Sequence, residues 1–275
     1  MTPLNKEILE TWNFGDPAGS FVKFNQLADD AQDGLDRLRY MTQAARCLGL
    51  QKNFDGARHI LADVEAAEHH SDDLFARFYL ESGRVLNSSG KREEAIPLFE
   101  DALEFSKKAG ADYLAIDAVH MLAIAHQPEK ALEWGDVAMN MIEESDQEDA
   151  KKWTGPVLNN HGWNLADAGR WEEALVVFRK SLAYREEMGV ETPIIIAKYT
   201  VAHALRKLDR FQEALDLLTA MPNPDGFCHE EIAESLTALG RSEEAKPHFA
   251  KAYEELKDIG WVDQDRKDRI KQLSQ

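Results

Sequence analysis

Two pairs of arginines in the first third of the chain have the spacing of an anion-binding site. Arg39 and Arg46 are seven residues apart, and Arg77 and Arg84 repeat that spacing. On a helix, seven residues return to one face about 10 Å further along the axis. Guanidinium groups bind carboxylates and phosphates through paired hydrogen bonds that lysine does not supply. The four side chains therefore predict a frame for an acidic peptide, a terminal carboxylate or a phosphate.

Ordinary pairing on the helix surface is the alternative for three of these arginines. Glu81 lies four residues after Arg77 and three before Arg84, and Asp36 lies three before Arg39, whereas Arg46 has no such neighbour. Exposed pairs of this kind stabilise a helix by only about 0.3–0.5 kcal/mol. A ligand carboxylate could therefore compete for the arginines.

Charge and composition narrow the class of partner. The 275 residues include 50 Asp and Glu against 32 Lys and Arg, a formal charge of −18. Such a chain repels nucleic-acid phosphates and anionic membranes. We find no basic segment followed by an apolar run at the start and no stretch approaching 18 apolar residues, so we expect a cytoplasmic protein. Two cysteines without a CxxC motif favour a reducing compartment.

A repeated pattern organises the rest of the sequence. Six alanines recur at intervals of 31 to 43 residues; they are Ala57, Ala95, Ala131, Ala174, Ala214 and Ala245. A small residue stands twelve positions before most of them, and a bulky apolar residue follows four positions after five of the six. Gly90, Gly169, Asp209 and Gly240 lie five positions before an alanine and predict turns. The pattern predicts helix–turn–helix units stacked as a solenoid.

The quoted positions resemble those of the tetratricopeptide repeat, and the intervals near 40 residues resemble the kinesin-light-chain type. The resemblance implies an all-α, right-handed superhelical solenoid of antiparallel helix hairpins. We expect a single unit over residues 1–275. It divides into a degenerate N-terminal hairpin at 1–34, six repeats at 35–260 and a C-terminal capping helix at 261–275.

In that family the first helix of each hairpin lines a concave face, at the residues 18, 15, 11 and 8 positions before the alanine. Across five hairpins, these twenty positions hold five arginines and no acid. The resemblance therefore predicts a basic groove inside an acidic chain. Its candidate peptide- or anion-binding residues are Arg39, Arg46, Arg77, Arg84, His120, Asn159, Trp163, Tyr199, His203 and Arg206.

Catalytic chemistry has little support in the sequence. His120 and His203 fall two hairpins apart, so they are predicted groove or core residues and not metal ligands. The chain contains no Walker motif, no dinucleotide glycine motif and no strand that would carry a nucleophile elbow. We expect no enzyme activity, no cofactor and no bound metal.

The leading interpretation is a scaffold whose basic groove binds an extended or acidic peptide segment of a protein partner. Two alternatives remain open. One is a regulator that senses a ligand or a signalling peptide and acts on a separate effector. The other is a homo-oligomeric assembly element that uses the convex side or the terminal helices. Nucleic acids and membranes are not expected partners.

Overall fold

A computed structural model describes residues 2–275, all of whose regular secondary structure is helical. Met1, the first residue of the predicted 1–34 segment, lies outside the described residues. The helices are α1 (Pro3–Thr11), α2 (Pro17–Asp30), α3 (Gly34–Leu50), α4 (Phe54–Glu65), α5 (Asp72–Ser88), α6 (Arg92–Lys108), α7 (Asp112–Ala125), α8 (Pro128–Glu144), α9 (Glu148–Lys151), α10 (Thr154–Asp167), α11 (Trp171–Met188), α12 (Glu191–Lys207), α13 (Phe211–Thr219), α14 (Gly226–Ala238), α15 (Ser242–Leu256) and α16 (Gln264–Leu273).

The chain divides into two compact units, Met1–Val157 and Leu158–Gln275. Each unit is built of consecutive helices packed as antiparallel hairpins, such as α5 with α6 in the first unit and α14 with α15 in the second. The all-α fold of helix hairpins is confirmed. The prediction of one continuous unit with six repeats stays a prediction.

Close packing within a hairpin depends on the predicted small residues. In the first unit, Gly83 of α5 lies against the ring of Phe99 from α6, and a Cβ atom at Gly83 would come within 2.5 Å of that ring. Phe99 and Ala95 are both fully buried. Ala95 is one of the six recurring alanines, which we call the indexed alanines. Gly162 and Phe178 form the same contact in the second unit. Glycine at these positions lets the two helix backbones approach closely.

Left-handed residues end the first helices of several hairpins, as the sequence predicts. Gly90 has a φ of 88° and is followed by Glu93 and Glu94 in the first turn of α6. Asp209 reaches a φ of 58° at the corresponding turn of the second unit, where it replaces glycine. Aspartate is one of the few residues other than glycine that adopts this conformation readily.

The segment 144–152, predicted to be a loose linker, contains the short helix α9, in which Asp149 and Ala150 are buried. At the end of the chain, α16 buries Ile270, while Trp261 just before it remains 75% exposed. Within residues 2–275, no helix combines the length and the apolar character needed to cross a membrane.

Candidate functional site

Helices α3, α5 and α7 of the first unit bring four predicted arginines and His120 onto one surface. We call this surface the α3–α5–α7 face, and define it by Arg39, Arg46, Arg77, Arg84, Tyr113 and His120. Asp33 caps the N-terminus of α3, where its carboxylate accepts hydrogen bonds from the backbone N–H groups of Leu35 and Asp36. Ser71 caps α5 through Leu74. The two caps fix where these helices start and therefore which residues reach the face.

Arg39 is held by two carboxylates. Its Nε and Nη2 atoms donate to the two oxygens of Asp73, each at 2.7 Å, and its Nη1 donates to Asp36 at 2.7 Å. Burial by itself would lower the pKa of Arg39, but the bonds to Asp73 and Asp36 outweigh it and raise the pKa. This guanidinium is therefore already saturated with anionic partners.

Arg77 is buried and bonded to neutral groups. Its Nη2 donates to Asn5 Oδ1 at 2.8 Å and also contacts the hydroxyl of Tyr113. Asp73 lies 3.8 Å from Arg77 Nε, which has no hydrogen-bond partner. The same Asn5 oxygen accepts a bond from Tyr113 at 2.9 Å. The Asn5 side chain thus links α5 to α7.

Arg84 forms the centre of a second cluster of charges. It donates to Glu81 Oε1 at 2.5 Å and to Asp117 Oδ1. Burial would lower the pKa of Arg84, but Asp117 and Glu81 outweigh burial and raise it. Glu81 itself is buried, and its second carboxylate oxygen, Oε2, has no hydrogen-bond partner. Burial raises the pKa of Glu81, even though Arg84 and Arg46 act against that shift.

Arg46 differs from the other three because its nearest carboxylate is 4.0 Å away, at Glu81 Oε1. Its guanidinium lies over two stacked aromatic rings, 5.3 Å from the centre of Trp12 and 5.5 Å from that of Phe14. Burial, followed by repulsion from Arg84, lowers the pKa of Arg46. With 22% of its side chain exposed, Arg46 is also the most accessible of the four.

A cavity of about 460 Å³ opens beside Arg46 and Arg84. Apolar side chains, among them Leu80, Met121 and Trp153, form much of its wall. His120 also lines it, with its ring 5.3 Å from that of Trp153, and burial lowers the pKa of His120 to about 4. The cavity therefore joins apolar walls to a few convergent charged groups, which is typical of binding pockets.

Arg39 and Arg84 are paired with carboxylates of the chain, which is the alternative that the sequence offered for them. Glu81, Asp117 and, in the second unit, Glu231 all stand fourteen residues before an indexed alanine, one position inside the predicted column. Their carboxylates turn toward the arginines because an unpaired buried charge is costly. Of these acids, Glu81 was already expected beside Arg84, whereas Asp117 and Glu231 reach their arginines from neighbouring helices.

Three further residues that the sequence reasoning missed belong to the face. Asn5 and Trp12 come from the N-terminal hairpin, and Asp149 comes from the segment expected to be a linker. Asn5 Nδ2 donates to Asp149 Oδ2 at 3.1 Å, and Trp12 Nε1 donates to Gln43 Oε1 at 3.0 Å. No repeat register covers these positions, so only the structure reveals their contacts.

In the second unit, the predicted residues gather around a carboxylate of α14. Arg206 and His203 bond both oxygens of Glu231, at distances of 2.6 to 3.0 Å. Burial would raise the pKa of Glu231, but the bonds from His203 and Arg206 outweigh it and lower the pKa to about 2. These cationic groups are therefore engaged within the chain.

The remaining predicted residues of the second unit make mostly aromatic contacts. Trp163 packs against Phe178 and His203, with ring centres 5.4 and 5.5 Å apart. Tyr199 meets Phe227 edge to face at 6.0 Å. Asn159 donates to the neighbouring Asn160 at 3.2 Å. Trp163 is half-buried and serves packing at least in part.

A cluster of metal-ligating side chains is absent from the part of the chain that the structure describes. Among residues 2–275, no group of three or more His, Cys, Asp or Glu side chains is placed to hold a metal ion.

Comparisons with known proteins concern the repeats and the fold. Two tetratricopeptide-repeat family models match residues 76–108 and 157–188. No curated protein matches the sequence. Among solved structures, the chain is similar to the nearly identical TPR-like repeats of a Podosopora anserina protein described as a kinesin light chain. The two are 16% identical, with 77% of this chain and 99% of that chain covered and a TM-score of 0.54.

Two other solved structures resemble the chain along most of its length. The apo form of RapI is 13% identical, with 98% of this chain and 80% of that chain covered and a TM-score of 0.72. The tetratricopeptide-repeat sensor protein of the STAND class from Pyrococcus horikoshii is 14% identical, with 98% and 39% covered and a TM-score of 0.64. At these identities the likeness concerns the fold. The chain thus contains tetratricopeptide repeats at residues 76–108 and 157–188, and its helix-hairpin fold is similar to that of kinesin-light-chain-like repeats.

Proposed function

We propose that the chain is a protein-interaction scaffold whose α3–α5–α7 face binds a segment of a protein partner through a carboxylate at Arg46. Tetratricopeptide-repeat proteins are generally non-catalytic and bind proteins or peptides, which supports the scaffold role. The single observation that carries the finer proposal is the cavity beside Arg46, the arginine with the most distant carboxylate.

The charge balance of the cavity favours an anionic group. Its lining contains four cationic side chains, from Arg46, Arg77, Arg84 and Lys152, against three carboxylates. Burial and Arg84 already make the charge of Arg46 unfavourable, as its lowered pKa indicates. A ligand carboxylate would supply the close anionic partner that Glu81, at 4.0 Å, supplies only weakly.

The apolar walls of the cavity add hydrophobic contacts to the electrostatic attraction of the arginines. A cavity of about 460 Å³ lies within the usual range for ligand sites and accommodates one or two side chains of a peptide. Micromolar binding requires about 8 kcal/mol. Charged hydrogen bonds contribute roughly 1.5–3 kcal/mol each, so an apolar side chain against Leu80 and Met121 has to supply much of the remainder.

The corresponding side chains of the second unit are already bonded to carboxylates of the chain. In the second unit, Arg206 and His203 are bonded to Glu231, and Arg266 is bonded to both oxygens of Glu230 at 2.6 to 3.0 Å. A ligand there would have to break these contacts. The net charge of −18 further favours a protein partner over nucleic acid.

The test is selection of displayed random peptides of about twelve residues on the purified chain, followed by affinity measurement on variants. We expect the selected peptides to be enriched in Asp, Glu or a free terminal carboxylate. Arg46→Leu should weaken their binding at least tenfold, because the anionic group loses its partner.

Arg58→Leu is the matched control, since Arg58 is an exposed arginine of α4 paired with Asp55. It should leave the affinity unchanged. Peptides without acidic bias, or peptides that bind Arg46→Leu and the parent chain equally well, would contradict the proposed site.

A further inference from the structure

The N-terminal helix α1 lies against the α3–α5–α7 face, where a cluster of hydrogen bonds at Asn5 holds it together with one buried apolar side chain, Ile8. Asn5 Oδ1 accepts from Arg77 Nη2 at 2.8 Å and from the Tyr113 hydroxyl at 2.9 Å, and Asn5 Nδ2 donates to Asp149 Oδ2 at 3.1 Å. Beyond its end, Trp12 is bonded to Gln43 and lies under Arg46. The contacts of α1 and Trp12 therefore include two of the arginines that the sequence assigns to a partner, Arg77 and Arg46.

The packing of α1 on this face is incomplete. Asn5 and Ile8 are its only buried residues among those that the structure describes, while Leu9 is 45% exposed and Phe14, just beyond the helix, is 61% exposed. Cavities of about 770 and 460 Å³ lie along the face, and Asn5 borders both of them. A helix that belonged to a permanent core would fill such space.

We propose that the α3–α5–α7 face is a docking surface for an amphipathic helix of a partner protein, and that α1 is its displaceable occupant within the chain. The inference rests on the proposed function, in which this face binds a partner. It adds that the partner segment is a helix and that α1 competes with that helix for the face.

The contacts of α1 specify the chemistry of the partner helix. A carboxamide is needed at one position, because its oxygen accepts from Arg77 and Tyr113 while its nitrogen donates to Asp149. An aromatic ring is needed seven residues later, about 10 Å along the axis of a helix, at the position where Trp12, just beyond α1, contacts Arg46. Larger apolar side chains than those of α1 would fill the flanking cavities, and an acidic one would reach Arg46.

The test uses a fluorescent peptide of residues 2–14 as the probe and the full chain as the receptor. The double variant Asn5→Ala with Trp12→Ala loosens α1 and should bind the peptide at least tenfold more tightly than the parent chain. A peptide carrying the same two substitutions should not bind. Lys6→Ala is the matched control, because Lys6 is exposed and paired only with Glu10 along α1. It should behave as the parent chain does.

Trypsin cleavage at Lys6, compared between the double variant and the parent chain, reports whether α1 has been released; Lys6→Ala lacks this site and serves as the control for peptide binding alone. If the double variant is cleaved faster yet binds the peptide no more tightly than the parent chain, the face is not a helix receptor. If it is cleaved no faster, Asn5 and Trp12 do not hold α1, and the proposal also fails. Trp12→Phe keeps an aromatic ring but removes the indole N–H that donates to Gln43. If the double variant loses helix content, Trp12→Phe replaces it in the test, and we expect this variant to bind the peptide severalfold more tightly than the parent chain.

Two further results separate this inference from its alternatives. Dimerisation of the loosened chain without peptide, measured by light scattering, would assign the occupant to a second copy and overturn the partner-helix proposal. Loss of acidic-peptide binding in Arg46→Leu together with failure of the residue 2–14 peptide would leave the proposed function standing and remove only the role of α1.

Discussion

Glu81 in the first unit and Glu231 in the second occupy the same repeat position, fourteen residues before an indexed alanine, yet their environments are opposite. Both are buried beside arginine. Both oxygens of Glu231 are bonded, to Arg206 and His203, and its pKa falls to about 2. One oxygen of Glu81 has no hydrogen bond, and its pKa is raised.

The difference shows that a shared register does not determine a shared role. In the second unit the carboxylate and its cations satisfy one another, which makes the cluster structural. In the first unit Glu81 is shared between Arg84 and the more distant Arg46, beside a cavity. The first unit is the one suited to receive an anionic ligand, because a bound carboxylate can give Arg46 the close acceptor that Glu81, at 4.0 Å, does not provide.

The largest expected effect is that of Arg84→Met. Removal of this guanidinium leaves Glu81 and Asp117 buried without their closest cation. We expect a loss of about 3–5 kcal/mol in the free energy of unfolding of the first unit, measured by chemical denaturation. The exposed Arg58→Met should cost no more than about 0.5 kcal/mol. A loss below about 1 kcal/mol for Arg84→Met would mean that the cluster does not act as a buried ion network.

Matched glutamine substitutions test the difference in environment between Glu81 and Glu231. The pKa of Glu231 lies at about 2 against an ordinary 4.5, which corresponds to about 3 kcal/mol of stabilisation at neutral pH. Glu231→Gln should therefore cost about 3 kcal/mol. Glu81→Gln should cost less than about 1 kcal/mol, because burial already disfavours the charged form.

The sign of the pH dependence follows from the lowered pKa of Glu231. Its contribution is fully present above pH 4.5 and is lost as the pH falls toward 2. The stability difference between the parent chain and Glu231→Gln should shrink over that interval. Equal costs for the two glutamine variants at neutral pH would contradict the contrast between the units.

A smaller effect is expected from His120, whose pKa falls from an ordinary 6.5 to about 4. Between those values the unfolded chain binds a proton that the folded chain excludes, so stability decreases as the pH falls. From pH 7 to pH 5 the decrease should be about 2 kcal/mol. His120→Leu should remove that part of the pH dependence, as measured by denaturation at both values. An unchanged slope in the variant would show that the cavity does not exclude the imidazolium.

The sequence was sufficient for the hairpins and for much of the face. Ala95, Gly83 and Gly90 mark a close contact and a turn whose geometry follows from residue size and backbone conformation alone. The spacing of Arg77 and Arg84 placed them correctly on one side of α5. Such features are local, so a repeat pattern specifies them.

Of the pairs that neutralise the arginines, only those within one helix, Arg39 with Asp36 and Arg84 with Glu81, could be read from the sequence. Arg39 bonds to Asp73 and Arg84 to Asp117, each across to a neighbouring hairpin, so these pairs depend on how successive hairpins stack. The position of α1 was even less predictable, because α1 has no repeat register. One of its anchors, Asp149, belongs to the segment 144–152, which was predicted to be a linker.

The most direct test of the central claim, that the α3–α5–α7 face binds a partner through Arg46, is a crystal structure of the chain with the tightest selected acidic peptide. We expect a peptide carboxylate oxygen about 3 Å from an Arg46 guanidinium nitrogen, with an adjacent apolar side chain against Leu80 and Met121. A peptide bound elsewhere, with no peptide atom in the cavity beside Arg46, would contradict the account.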